Sequence, residues 1–72
     1  MPSLKENEGY RLIRLPEVIH KVGLKKGAIY ALQKKGEFPM SIPVTGRAVA
    51  WLEHEVDLWI KRKAKNRTDL NV

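Results

Sequence analysis

Two short helical patterns, joined at a glycine, lie in LPEVIHKVGLKKGAIYALQKK, residues 15–35. The first pattern covers about residues 16–22. Proline is favoured at the first helical position because its missing N–H would have no partner there, and Glu17 suits the positive end of the helix dipole. Gly23 ends the helix, since glycine readily adopts a left-handed conformation. The apolar stripe of this helix consists of Val18, Ile19 and Val22.

The second pattern predicts a basic amphipathic helix that ends at Gly36. Its apolar face comprises Leu24, Ala28, Ile29 and Leu32, while the lysines largely fall elsewhere. Two short helices separated by a three-residue joint are the arrangement of a helix-turn-helix, whose second helix enters the major groove of DNA.

A β-hairpin is predicted after the second helix. Two apolar runs, MSIPV at 40–44 and AVAWL at 48–52, flank a turn that contains Gly46. Pro43 restricts the first strand to a sheet edge, because proline cannot donate a hydrogen bond to a neighbouring strand. Together with an extended piece at 10–15, these runs predict a mainly α fold with a two- to three-stranded β wing, a winged helix-turn-helix.

A last helix is predicted at about 54–65, with acidic residues first and basic residues last, as the helix dipole favours. Trp51 and Trp59 are in phase with apolar neighbours, which indicates core packing for both. His20 and His54 have no partner at a metal-ligand or catalytic spacing. The predicted domain covers 10–65, with flexible segments at 1–9 and 66–72.

The composition argues against several classes of protein. The chain has 72 residues and no cysteine, which excludes disulfides and thiolate metal sites. A chain of this size has room for one thin core and no deep substrate cleft, and no serine or threonine has an activating partner, so we expect neither an enzyme nor a cofactor. With no membrane-spanning run and no export signal, we expect a cytoplasmic protein that does not associate with membranes.

Positive charge is concentrated in two blocks of the chain, whose formal net charge is +6. Residues 21–47 contain six basic residues and one acidic residue, and residues 61–72 contain five basic residues and one acidic residue. Blocks of residues that carry the same sign of charge, here positive, indicate a surface of the folded domain that binds a polyanion. For the second block, a solvated helix end is an equally good explanation.

Several motifs follow one another in order: RLIRLPEV at 11–18, GL at 23–24, IY at 29–30, GEFP at 36–39 and GRAVAWLE at 46–53, with Glu55, Val56 and Trp59 behind them. At this spacing the chain resembles the AlpA family of prophage regulators over roughly residues 10–65. The most specific parts are LPEV and RAVAWL. The resemblance implies a winged helix-turn-helix akin to excisionases and MerR-type regulators, in proteins that control integrase expression, assist excision, or both.

The resemblance implies a recognition helix at 25–35 and a wing at Thr45, Gly46 and Arg47. Tyr30 would pack its ring and direct its hydroxyl to a phosphate. The Arg47 guanidinium would reach a phosphate or a narrow minor groove. The candidate DNA-binding residues are Lys25, Lys26, Gly27, Tyr30, Lys34, Lys35, Thr45 and Arg47.

The start of the proposed recognition helix departs from the family pattern. The family usually has serine at the position of Lys25, and a Ser or Thr pair at the positions of Gly27 and Ala28. A missing side-chain cap costs about 1 kcal/mol, and an interior glycine costs up to roughly another 1 kcal/mol. Bound phosphate would satisfy the free amides here and pair with Lys25 and Lys26. The alternative is neutral variation in a tolerant family.

The leading hypothesis is a sequence-specific double-stranded DNA-binding regulator that acts in transcription, excision or both. The alternatives are a protein-interaction module that inhibits a partner such as a response regulator, and a basic RNA- or ribosome-associated protein. An integrase or a neighbouring protomer on DNA is a further expected partner. We expect a monomer in free solution, because the chain has no heptad seam for a coiled coil.

Overall fold

A computed structural model of the protein describes residues 10–67. Its elements are β1 (Leu12–Ile13), α1 (Leu15–Val22), α2 (Lys26–Lys34), β2 (Ile42–Thr45), β3 (Ala48–Leu52) and α3 (Glu53–Asn66). Three helices and a three-stranded antiparallel sheet confirm the predicted winged helix-turn-helix. The segment 1–9 and residues 68–72 of the predicted tail lie outside the described residues.

Helix α1 begins one residue earlier than predicted, and the carbonyl of Arg14 accepts the N–H groups of both Glu17 and Val18 at 3.0 Å. Val18 is completely buried. The helix ends as predicted at Gly23, whose φ of 75° is left-handed and whose N–H donates to the carbonyl of Ile19 at 2.8 Å. The glycine therefore sets the angle at which the chain enters α2.

Helix α2 begins at Lys26, because Leu24 and Lys25 still belong to the turn. Its C-terminus is closed by two backbone bonds: Gly36 N–H donates to Gln33 at 2.9 Å and Glu37 N–H donates to Leu32 at 2.8 Å. With a φ of 76° at Gly36, this is a Schellman motif. The sequence places the end of this helix correctly.

The sheet has the order β1-β3-β2, with both pairs antiparallel. Ile13 pairs with Trp51, and Pro43 pairs with Val49 on the edge strand β2, where Pro43 was expected. A register shift between Pro43 and Thr45 places a bulge beside the turn. Such bulges twist and end an edge strand.

The core is a single cluster to which α1, α2, α3 and the sheet all contribute. The buried apolar residues are Ile13, Val18, Ile29, Phe38, Ala50, Trp51 and Val56. The core prediction is confirmed for Trp51, which is completely buried. Trp59 lies at the edge of the core, half-buried, with its ring centroid 4.9 Å from that of Phe38 and its Nε1 donating to the Glu37 carbonyl at 2.8 Å.

Helix α3 has 14 residues and follows β3 without a loop. The N–H of its first residue, Glu53, donates to the carbonyl of Arg11 at 2.7 Å. This bond ties the start of α3 to the segment before β1. Across residues 10–67, no helix combines the length and apolarity that crossing a bilayer requires.

Candidate nucleic-acid interface

Helix α2 is held to the core by Ile29, which is completely buried, and by Leu32, while Leu24 in the preceding turn packs against the same cluster. The residue before the helix, Lys25, is extended, with a φ of −82° and a ψ of 164°. Its carbonyl accepts the Ile29 N–H at 3.0 Å, but its side chain makes no capping hydrogen bond. The first-turn amides therefore have no side-chain acceptor at this position.

The outward side of α2 carries small and basic side chains. Gly27, Ala28 and Ala31 are exposed, as are Lys25, Lys26, Lys34 and Lys35. The prediction that Ala28 belongs to the apolar face is wrong. The helix packs through the side that carries Ile29, Leu32 and Gln33, and at about 100° per residue this turns Ala28 away from the core.

Gln33 has a role that sequence reasoning missed. Trp51 Nε1 donates to Gln33 Oε1 at 2.9 Å and to the carbonyl of Pro39 at 3.1 Å. These bonds join α2, the following loop and β3 at the centre of the molecule. Two facts could have indicated this role from the sequence. A buried indole N–H requires an acceptor, and Gln33 is a polar residue four positions after Ile29, on the packed side of α2.

Tyr30 lies at the boundary between the core and the outward side of α2. Its ring is half-buried, with the centroid 6.3 Å from that of Trp51. It also lines a groove of about 530 Å³ between α2 and the loop that carries Met40. The groove is lined by Gly27, Tyr30, Ala31, Gln33, Lys34 and Met40.

The wing turn is formed by Gly46 and Arg47, flanked by the paired residues Thr45 and Ala48. Gly46 has a φ of 38°, and no residue other than glycine has a positive φ in the described chain. A glycine with positive φ at the first of two loop residues fits a type II′ hairpin turn. Thr45, Gly46 and Arg47 are all exposed, so the wing presents its only charged side chain at the tip.

Electrostatic pairing divides the molecule into two regions. Arg11 bridges Glu17 at 3.0 Å and Glu53 at 3.6 Å, while Lys21 bridges Glu53 and Asp57, each at 3.0 Å. We call these five residues the ion cluster; it joins α1, α3 and the segment before β1. The hydrogen bond to Asp57, followed by that to Glu53, raises the pKa of Lys21 above its ordinary value.

The basic residues of α2 and of the wing lie outside the ion cluster. Among residues 10–67, no carboxylate forms a salt bridge with any of Lys25, Lys26, Lys34, Lys35 and Arg47. Their charge is therefore not neutralised by the described part of the protein, and it is available to an external anion.

The histidines contribute no ligand cluster. The rings of His54 and Tyr10 have centroids 5.1 Å apart, and His20 is exposed on α1. No group of three or more potential metal-ligating side chains is found in the described range, 10–67.

A family model described as prophage CP4-57 regulatory protein (AlpA) matches residues 11–64, which covers both helices of the helix-turn-helix, the wing and most of α3. The chain belongs to the AlpA family of prophage regulatory proteins. The resemblance inferred from LPEV and RAVAWL is thereby confirmed. An AlpA-family assignment fits the observed fold, because the matched range coincides with the folded unit.

Two relatives place the chain within the AlpA family. A protein of Enterobacteria phage P4, named uncharacterized protein ORF88, is 44% identical over 57 residues, which cover 79% of this chain and 65% of the phage protein. The DNA-binding transcriptional activator AlpA of Escherichia coli K12 is 28% identical over 68 residues, with 86% of this chain and 97% of that protein covered. The chain thus spans about two thirds of the phage protein and nearly all of the bacterial activator.

Proposed function

We propose that this AlpA-family protein is a sequence-specific double-stranded DNA-binding regulator of prophage or integrative-element type. The observation that carries the proposal is the unneutralised positive charge on α2 and the wing, the two elements through which a winged helix-turn-helix contacts DNA. The name of the E. coli relative, a DNA-binding transcriptional activator, supports the same function.

In this proposal α2 enters the major groove with its N-terminus first. Lys25 and Lys26 bind phosphates beside the uncapped first turn, whose amides point to the same anion. Lys34 and Lys35 bind the DNA backbone at the far end of the helix, and the Tyr30 hydroxyl donates to a phosphate.

Gly27 lets the backbone of α2 approach the DNA closely. Thr45 and Arg47 bring the wing to the sugar–phosphate backbone or to a narrow minor groove.

The regulatory role that we propose is control of an integrase gene, assistance in excision, or both, with an integrase or a neighbouring protomer as the protein partner. The family's prophage association supports this role. The protein would act without catalysis and in the cytoplasm, where the DNA is located.

A second candidate function is inhibition of a protein partner such as a response regulator. A groove of about 750 Å³ between residues 36–42 and α3 favours it, since its lining combines the exposed apolar residues Met40, Ile42 and Leu58 with charged side chains. This function does not require free charge on α2, so duplex binding distinguishes the two candidates.

The experiment compares Lys26→Ala and Lys34→Ala with Lys21→Ala, which removes the same charge from the ion cluster. Both α2 variants should weaken binding to a selected duplex and to a random duplex by similar factors. Each should also reduce the slope of log affinity against log salt by about one, because each lysine neutralises one phosphate. Lys21→Ala should leave both affinities nearly unchanged, because Lys21 is already paired with Glu53 and Asp57.

Fluorescence anisotropy with labelled duplexes at several salt concentrations gives these values. Equal effects of all three substitutions would contradict the assignment of α2 to the interface. A lysine variant that weakened only the selected duplex would show that this lysine contacts a base rather than a phosphate.

A further inference from the structure

The outward side of α2 has no arginine and no fully exposed amide, two of the side-chain types that read bases by paired hydrogen bonds. Lysine can also read guanine in this way, but the proposed function assigns the lysines of α2 to phosphates. Between Lys26 and Lys34 the exposed residues are Gly27, Ala28 and Ala31. None of these three has a polar side chain, and the hydroxyl of the half-buried Tyr30 is assigned to a phosphate in the proposed function.

The one amide side chain of α2 is turned towards the core. Gln33 Oε1 accepts the Trp51 Nε1–H at 2.9 Å, and this bond fixes the orientation of the amide. A paired contact with adenine needs both ends of the amide at one base edge, so Gln33 is not available for it. The surface that the middle of α2 presents to a base pair is therefore mainly apolar, with the Gln33 amide as a polar group in the groove lining.

The groove beside this surface is apolar and open. Gly27, Ala31 and the Tyr30 ring line the α2 side of the groove, and Met40, whose surface is 61% exposed, lines the other side. A Cβ built on Gly27 meets no atom within 4 Å, which shows that this part of the surface is unobstructed.

The charges around the groove are complementary to a nucleic acid. Lys34 lines the groove, Lys26 is exposed one residue before Gly27, and neither forms a salt bridge within the described residues. An apolar strip between unpaired lysines matches the major groove of a duplex, where phosphates flank the base edges. The apolar group that a base pair presents in that groove is the C5-methyl of thymine.

We propose that this groove reads thymine through its C5-methyl group, with the Ala31 methyl and the Met40 side chain as the contacts. The inference rests on the proposed function, because it assigns base specificity to the α2 surface of a DNA-binding protein. It makes Ala31 and Met40 specificity-determining residues, while the surrounding lysines supply affinity that does not depend on sequence.

The first test uses the whole chain and duplexes selected from a random-sequence library. Each thymine of the enriched site is replaced in turn by deoxyuridine, which removes the methyl group and keeps the base pair. We expect at least one replacement to lower affinity by about fourfold, the value that corresponds to one buried methyl group. The same replacements in an unselected duplex should change nothing.

The second test asks whether Ala31 makes the contact. In Ala31→Ser a hydroxyl replaces a methyl hydrogen, so the deoxyuridine penalty at the critical position should shrink towards onefold. The matched control is Ala64→Ser on α3, an exposed alanine that does not line the groove. Any general change in DNA affinity from this end of α3 cancels in the ratio between the thymine and deoxyuridine duplexes, so the penalty should stay at its full value. Circular dichroism and thermal unfolding of each variant establish that it is folded.

The outcomes separate this inference from the proposed function. Loss of the penalty in Ala31→Ser, together with its retention in Ala64→Ser, supports the methyl contact. An enriched sequence whose salt-dependent binding shows no deoxyuridine effect at any position overturns the methyl contact and leaves the proposed function intact. Salt-dependent binding with no enriched sequence overturns both the methyl contact and the sequence specificity of the proposed function. An undiminished penalty in Ala31→Ser overturns the assignment to this groove. Absence of duplex binding even at low salt overturns the proposed function itself.

Discussion

Gly23 and Gly27 lie four residues apart but meet different backbone requirements. Gly23 has a φ of 75°, which side-chain-bearing residues rarely adopt, whereas Gly27 is helical and a Cβ there would meet no atom within 4 Å. We expect Gly27→Ala to raise the free energy of unfolding by about 0.5–1 kcal/mol, because alanine loses less backbone entropy in a helix. The matched change Gly23→Ala should lower the free energy of unfolding by roughly 1–2 kcal/mol.

Urea unfolding followed by circular dichroism measures both values. A destabilised Gly27→Ala protein would mean that α2 begins after this residue or that its outward side is covered. If Gly27→Ala is more stable but binds DNA more weakly, the glycine is required by the DNA and not by the fold.

Single residues also show the limits of prediction from sequence. The burial of Trp51 follows from its apolar neighbours, but its two acceptors do not, because Gln33 and Pro39 come near the indole only when α2 folds onto β3. The same contact explains the error at Ala28. Periodicity alone gives the width of an apolar face, whereas the tertiary contacts of Ile29, Leu32 and Gln33 together define which side of α2 faces the core.

At the scale of elements, the ion cluster joins α1 to α3. The positions of Glu53 and Asp57 in the first turns of α3 were explained from sequence by the helix dipole alone. The structure adds Lys21, whose Nζ lies 3.0 Å from an oxygen of each. A pairing of residues 32 positions apart has no local sequence signal, so only the tertiary arrangement reveals it.

The raised pKa of Lys21 gives a pH dependence with a definite sign. A lysine whose pKa is higher in the folded protein than its ordinary value of 10.5 adds stability below that pH, and this stability is lost as the pH rises through the folded pKa. We expect Lys21→Ala to be less stable than the parent by about 1 kcal/mol at neutral pH. The difference should shrink at alkaline pH above the ordinary value.

Urea unfolding of both proteins from about pH 8 to pH 12 gives the difference curve, in which the other titrating groups largely cancel. A difference that stayed constant over this range would show that Lys21 stabilises the protein by packing and not by charge.

The ends of the strands, like the pairs of the ion cluster, depend on tertiary contacts that have no local sequence signal. The sequence at 10–15 predicts an extended piece, yet only Leu12 and Ile13 form a strand. Before Leu12 the partner strand β3 has ended, and two residues after Ile13 helix α1 begins at Leu15. The extended conformation is local and predictable, whereas the length of a strand depends on the free edge of its neighbour.

At the scale of the whole molecule, the charge distribution limits how tightly one copy can bind DNA. The acidic partners of Arg11 and Lys21 withdraw two basic residues from any interface, and α2 with the wing supplies five that form no salt bridge among residues 10–67. Neutralising about five phosphates gives a log–log salt slope of about −4 to −5. A single copy should therefore bind only weakly at physiological salt.

A regulator built this way needs a second source of affinity, and we expect it to come from neighbouring copies on DNA. Residues 10–67 contain no long apolar helix for a stable dimer, and the longest helix among them, α3, ends in the exposed basic residues Lys61, Arg62, Lys63, Lys65 and Arg67. We expect a monomer in free solution that binds two direct repeats cooperatively, because this basic end of α3 contacts phosphate or the adjacent copy.

Sedimentation of the free protein, together with titration of one-site and two-site duplexes, tests this expectation. Cooperativity that disappears when the two sites are separated by half a helical turn would indicate contact between protomers, since the rotation moves the second copy to the opposite side of the DNA. A tight dimer without DNA would contradict the model. A two-site affinity equal to the product of independent sites would also contradict it. In that case the additional affinity would have to come from a separate protein such as an integrase.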